Sequence, residues 1–311
     1  MKTILLTIFL FVLSLGVVAQ GFYNSNAWKA KRVELTGGIG ASNFLGDLGG
    51  RDQIGSDFIW DLELVKTRYV AHFTYQYYLA EKIAIRPSFY FARVSGDDAL
   101  TQERFRHHRN LNFVSNLYEL SFSGEFQLMK EKIGNIYGLK SPTGKKLGQK
   151  SFSFGVYGTT GIGVVFYNPK GKGPDGRNVA LRKLGTEGQG LPNGPKKYKP
   201  VTVVIPIGFG VRKSLGKDTG LKFELAYRFT FSDYIDDVST VYYDNDAIRA
   251  ARGDVAAYVA DPSLEDPTLN NTSAGLQRGD PTDKDGYLFF TISYYKKIKY
   301  STNKKRKFKK R

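Results

Sequence analysis

Leu221-Lys222-Phe223-Glu224-Leu225-Ala226-Tyr227-Arg228-Phe229-Thr230-Phe231-Ser232 decides the fold class of this chain. Every odd position is large and apolar, and every even position is polar or small. A period of two is the mark of a β-strand with two unlike faces. Charges of both signs on one face do not suit a soluble sandwich core, and the apolar face is too large to leave in water. Hydrocarbon outside and a polar lumen inside satisfy both faces, which is the condition of a transmembrane β-barrel.

The same alternation recurs on both sides of this stretch. Val33 to Phe44, Tyr69 to Tyr78, Ile83 to Val94, Tyr118 to Leu128, Ser151 to Tyr167 and Val201 to Arg212 precede it, and Tyr287 to Tyr295 follows it. Each has about the nine to eleven residues a tilted crossing needs, or a little more. With the opening stretch they make an even set of eight, which returns both termini to one side, expected to be the periplasm. Leu79 to Lys82 and Ser214 to Gly220 are short links on that side. Leu45 to Arg68, Ser95 to Leu117, Asn168 to Pro200 and Asp233 to Gly286 are long and are expected to face outside. Only Met129 to Lys150 is long on the short-turn side. The expectation is an all-β protein: an eight-stranded antiparallel transmembrane β-barrel of OmpA-like form.

The interior of such a barrel is just wide enough to be filled by side chains. Its inward positions set Glu34, Glu119, Glu125 and Glu224 against Arg86, Arg212, Lys222 and Arg228. Four acids and four bases can pair there, which avoids burying an unpaired charge. These eight read as a structural ion-pair network in a plugged barrel without a pore.

The amino-terminal residues place the chain in an export route. Lys2 precedes an apolar run from Ile4 to Val18, and Val17-Val18-Ala19 puts small residues before Gln20. This describes a cleavable signal peptide over residues 1–19; the other reading is a membrane anchor, for which the run is short. A pre-barrel segment (20–32), the barrel (33–295) and a basic tail (296–311) follow. The chain has no cysteine, which excludes a lipidated Cys, disulfides and thiolate chemistry. Its 20 Tyr and 22 Phe fit aromatic girdles at the membrane boundaries.

The net charge of +17 is unevenly spread. Lys29, Lys31 and Arg32 precede the barrel, six lysines face Glu131 in the Met129 to Lys150 link, and the tail holds ten bases and no acid. The excess therefore lies on the short-turn side, where it would attract an acidic partner surface or anionic cell-wall polymer such as peptidoglycan. A solvated tail with no partner is the plain alternative, and nucleic acid is a poor partner for an exported chain. The partner-binding candidates are Lys296, Lys297, Lys299, Lys304, Lys305, Arg306, Lys307, Lys309, Lys310 and Arg311, with Lys145 and Lys146 second.

Motifs for chemistry are missing. Gly38 to Asn43 lacks the helix and acidic partner of a dinucleotide site, and Gly138 to Lys146 lacks the spacing of a phosphate loop. Asp236-Asp237 and Asp244-Asn245-Asp246 are rich in oxygen but lack a Ca²⁺-loop spacing. His107-His108 could act as a base on an outer loop, as in a lipid-modifying barrel enzyme, but no nucleophile–acid set accompanies it. Arg104, Arg106, His107, His108 and Arg109 read instead as contacts for lipopolysaccharide phosphates in the outer-membrane lipid, or as solvated surface. No catalytic residue, metal ligand or cofactor is expected.

The segments that end the strands carry a resemblance. In order they are Asn43-Phe44-Leu45-Gly46-Asp47-Leu48-Gly49, Ser95-Gly96-Asp97-Asp98, Arg109-Asn110-Leu111-Asn112-Phe113, Phe166-Tyr167-Asn168-Pro169-Lys170, Leu184-Gly185-Thr186-Glu187-Gly188-Gln189-Gly190, Tyr227 to Ser239, and Arg278-Gly279-Asp280-Pro281. This series resembles the PorG-type outer-membrane barrels of the Bacteroidetes type IX secretion system, over about Val33 to Tyr295. The resemblance implies a non-catalytic accessory barrel in the cell outer membrane, docking periplasmic ring proteins of PorK/PorN type and, in gliding species, serving motility. A general OmpA-like barrel that contacts the cell wall is the alternative, and an outer-membrane lipid enzyme is the other.

Overall fold

A computed structural model describes residues 27–48, 66–101, 103–131, 154–216, 218–264, 266 and 268–299. Its strands are β1 (Val33–Leu45), β2 (Arg68–Ala80), β3 (Ile83–Asp97), β4 (Asn112–Met129), β5 (Gly155–Lys172), a short β6 (Asn178–Ala180), β7 (Val201–Ser214), β8 (Thr219–Thr230) and β9 (Gly286–Ile298). The long ones pair antiparallel around a circle, with β1 against β9 and β4 against β5, so the eight-stranded barrel is closed. β6 is a flap folded back on the end of β5. All eight alternating segments are barrel strands, and Ser151 to Ser153 lie outside the described residues.

The wall shows why alternation dictates this form. Phe73, Phe89, Leu120, Phe122, Ile162, Phe209 and Ile292 are exposed on the outside, a continuous apolar belt that a bilayer covers. Leu288 departs from the pattern, being outward by parity yet buried. No described helix is long and apolar enough to cross a membrane.

Toward the long-loop end the alternation inverts. On β4 the inward Phe113 and Leu117 are buried, while Asn112 and Asn116 point out on either side of Val114. On β5 the inward Val165 and Tyr167 are buried, while Asn168, Lys170 and Lys172 point out. With Val70, Ala92, Val94, Val204 and Phe289 these inward residues form an apolar core inside the upper barrel. Beyond the hydrocarbon the outside meets headgroups and water, so the apolar face moves inward. This is why β4 starts well before Tyr118 and β5 runs on past Tyr167.

The long links fold as well. They contain helices α1 (Arg104–Arg109), α2 (Leu181–Leu184), α3 (Asn245–Arg252) and α4 (Asp254–Ala260). Asp244 caps α3 by accepting from the N–H groups of Asp246 and Ala247. Gly253, at φ +86°, allows the sharp junction to α4. Ile248, Ala256 and Ala260 bury together against Leu184, Leu191 and Tyr243, which gives the alanine-rich stretch its role.

Candidate functional site

The lumen is filled by charge pairs in its lower part. Lys222 Nζ lies 2.6 Å from Glu34 and 3.3 Å from Glu125, and Arg212 lies 2.9 Å from Glu34. Arg86 reaches Glu224 at 2.8 Å and Glu125 at 3.4 Å. Arg228 stands apart, 3.4 Å from Glu119, between the rings of Tyr90 and Phe289 at 4.7 and 4.2 Å. Tyr78, Tyr157 and Tyr287 donate to Glu34, Glu224 and Glu119 at 3.0, 3.0 and 2.8 Å. Every one of the eight predicted lumen charges thus has an opposite charge within ion-pair distance.

Above the apolar core the long links knit into a cap. Link residues lack the hydrogen-bond ladder of a sheet, so their buried N–H groups need other acceptors. Carboxylates supply them across the sequence. Leu48 N–H donates to Asp236 at 3.1 Å, Ile235 N–H to Asp285 at 2.7 Å, and Ser239 N–H to Glu187 at 2.8 Å. Asp280 N–H donates to both oxygens of Asp47 at 3.1 and 3.0 Å. Two arginines bind the set together. Arg278 Nη1 donates to Glu187 at 3.0 Å and to the Asp237 carbonyl at 2.7 Å. Arg109 pairs with Asp98 and donates to the carbonyls of Arg278 and Asp47 at 2.6 and 2.9 Å. Thr186 and Tyr198 both donate to the Asp237 carboxyl.

Acids outnumber bases in this cap. Burial, with the neighbouring carboxylates, raises Asp47 and Asp237 to about 6 and Asp233 to about 7. Asp236 and Asp285 are held well above the usual carboxylate range, first by burial and then by the charges of Asp47 and Asp236 respectively. Among the described residues no group of three or more His, Asp or Glu side chains is placed to hold a metal ion.

The strand-end motifs converge on this cap: Asp47, Asp98, Arg109, Glu187, Asp236, Asp237 and Arg278 all belong to it. Arg109 is therefore corrected. It was expected to meet lipid phosphates or to be solvated surface, but it is buried in the cap, where Asp98 and two carbonyls accept four hydrogen bonds from it. His108 is buried beside it and Arg106 lies 3.7 Å from Asp98, which leaves Arg104 and His107 exposed on α1. Glu187, Asp233 and Asp285 were not singled out as site residues. Their signal was faint: acids next to a strand end or between glycines, in no recognised catalytic or binding motif.

Of the predicted docking residues, Lys296 and Lys299 are exposed at the short-turn end. Lys297 is half-buried, with its Nζ 5.6 Å from the Tyr78 ring centroid. Lys304, Lys305, Arg306, Lys307, Lys309, Lys310, Arg311, Lys145, Lys146 and the expected signal segment lie outside the described residues.

Residues 10–142 match a family described as a domain of unknown function, DUF6089. No curated protein matches the chain. Among solved structures it is similar to Ail, the attachment invasion locus protein of Yersinia pestis, at 8% identity and a TM-score of 0.35, covering 86% of this chain and 99% of that one. It is also similar to the outer membrane protein OprG of Pseudomonas aeruginosa, at 9% identity and a TM-score of 0.34, covering 87% and 97%. Neisserial surface protein A matches at 7% identity and a TM-score of 0.34, over 86% and 97%.

Proposed function

We propose that this chain is a non-catalytic outer-membrane barrel that anchors the type IX secretion machinery, offering its basic short-turn end to periplasmic ring proteins. The observation that carries the reading is the double closure of the barrel. A neutral set of ion pairs fills the lower lumen, and a folded cap seals the other end. Such a body is suited to holding a place in the membrane and ill suited to conducting a solute. Most of the motif series behind the secretion reading meets in the cap, through Asp47, Asp98, Arg109, Glu187, Asp236, Asp237 and Arg278. At the short-turn rim Ser214 donates its N–H and hydroxyl to Glu131 at 2.8 and 2.5 Å, so the lysine-rich link begins from a fixed point.

The test removes residues 301–311 and follows co-purification with ring proteins across a salt series. The expected result is an inserted barrel with weakened, salt-sensitive association. Undiminished association would overturn the reading. Retention on peptidoglycan with none on ring proteins would favour the general envelope barrel instead.

A further inference from the structure

Four aromatic side chains cross adjacent strands on the outer wall at one height. Tyr69 on β2, Phe91 on β3, Tyr118 on β4 and Phe166 on β5 have successive ring centroids 5.9, 5.1 and 6.3 Å apart. A row of this kind marks the boundary between hydrocarbon and headgroups. On its long-loop side the outward positions Arg93, which follows Phe91 along β3, and Lys170 and Lys172, which follow Phe166 along β5, are basic. Lys66, just before β2, and Arg68, its first residue, stand at the rim beside them.

These five bases line one groove of about 370 Å³. The acid within it is Asp97, which lies 3.0 Å from Lys66 and 3.9 Å from Lys172. Among the described residues no carboxylate pairs with Arg68, Arg93 or Lys170. On β7 and β9, and on and just past β8, the outward positions near this row are apolar: Val201, Val203, Phe229, Phe231 and Phe290. The basic patch thus lies on the β2–β5 sector of the wall.

We propose that this groove binds the phosphorylated headgroup of a lipid in the leaflet at the long-loop end. Arginine and lysine match phosphate oxygens in charge and in hydrogen-bond donors. At the height of the headgroups they act where phosphates are concentrated and water is partly displaced. The four rings directly beneath offer a surface for the acyl chains of the same molecule. A free anion would gain nothing from them, and this favours an amphiphile over a soluble ligand. The groove is separate from α1, where the sequence suggested lipid contact. It requires only that the barrel sit in a bilayer, and so stands or falls apart from the secretion reading.

The full chain, inserted in phosphatidylcholine nanodiscs, is titrated with bisphosphorylated lipid A, with the same lipid stripped of its phosphates, and with inorganic phosphate. Lipid bound per barrel is counted by native mass spectrometry. The wild-type protein is expected to prefer the phosphorylated lipid, and Arg93→Gln/Lys170→Gln/Lys172→Gln to bind it on the order of a hundredfold more weakly. A matched loss of charge elsewhere at the same end, Lys183→Gln/Lys196→Gln/Lys199→Gln, is expected to change little. Heat-modified gel mobility verifies that each variant is a folded barrel; if the triple variant does not insert, Arg93→Gln and Lys170→Gln singly carry the same test. Equal binding by wild type and groove variant overturns the proposal, as does an equal loss in the control variant. Displacement of the lipid by inorganic phosphate at comparable concentration overturns the choice of a lipid.

Discussion

Arg109 and Asp98 meet in a two-pronged ion pair, Nε to Oδ2 at 2.7 Å and Nη2 to Oδ1 at 3.0 Å, with both side chains buried in the cap. Asp98 also accepts from the Leu111 N–H at 3.2 Å, so the pair ties α1 to the start of β4. Removing one partner of a buried pair costs about 3–5 kcal/mol, because the other is left uncompensated. Arg109→Ala is therefore expected to open the cap while the barrel below stays closed. Limited proteolysis should show new cuts in the long links, with unchanged heat-modified gel mobility. An uncut variant would mean that the cap does not depend on this pair.

Acidity should tighten the cap. Asp47, Asp233 and Asp237 have pKa values raised to about 6, 7 and 6 in the folded protein, above the ordinary aspartate value near 4. Between pH 4 and 7 the folded cap then binds more protons than the unfolded chain, so stability falls as pH rises through that window. Hydrogen exchange of the Leu48, Ser239 and Asp280 amides, corrected for the intrinsic rate, is expected to be slower at pH 5 than at pH 8. Equal protection at both values would contradict the carboxyl energetics.

The lumen pair Arg228–Glu119 offers a cleaner comparison, since it stands apart from the other six charges. Arg228→Ala leaves Glu119 with the Tyr287 hydroxyl and no cation. The expected cost is about 3–5 kcal/mol in urea unfolding from lipid vesicles. Arg228→Met combined with Glu119→Leu removes both charges and should recover most of that loss. A double variant as unstable as the single one would show that the guanidinium matters through its packing between Tyr90 and Phe289.

Leu120 tests the membrane belt directly, being 60% exposed on the outer face of β4. Leu120→Arg places a charge in hydrocarbon and is expected to lower barrel stability by about 2–4 kcal/mol in lipid. In detergent micelles, which admit water to the side chain, the penalty should shrink. No loss in vesicles would place this residue outside the bilayer.

The barrel was legible because its physics is local. Leu221 to Ser232 repeats every two residues whatever lies across the sheet, and the inward charges are read from the same parity. The cap has no such period. Leu48 finds Asp236 and Asp280 finds Asp47, partners far apart in sequence that only the closed barrel brings together. Arg109 illustrates the loss of information: among Arg104, Arg106, His107 and His108 it looks like solvated surface, and only Asp98 makes it a core residue. The basic groove was hidden for a related reason. Lys66, Arg93 and Lys170 sit on three separate strands or links and become neighbours only around the wall.

The inversion of alternation on β4 and β5 also sets a height. From Phe166, at the membrane boundary, β5 continues to Lys172, roughly 20 Å of strand and about 15 Å along the axis of a tilted barrel. The wall thus rises out of the bilayer as a short tower. The cap sits on top of it, next to the groove that Asp97 and Lys172 line, and within reach of an approaching macromolecule.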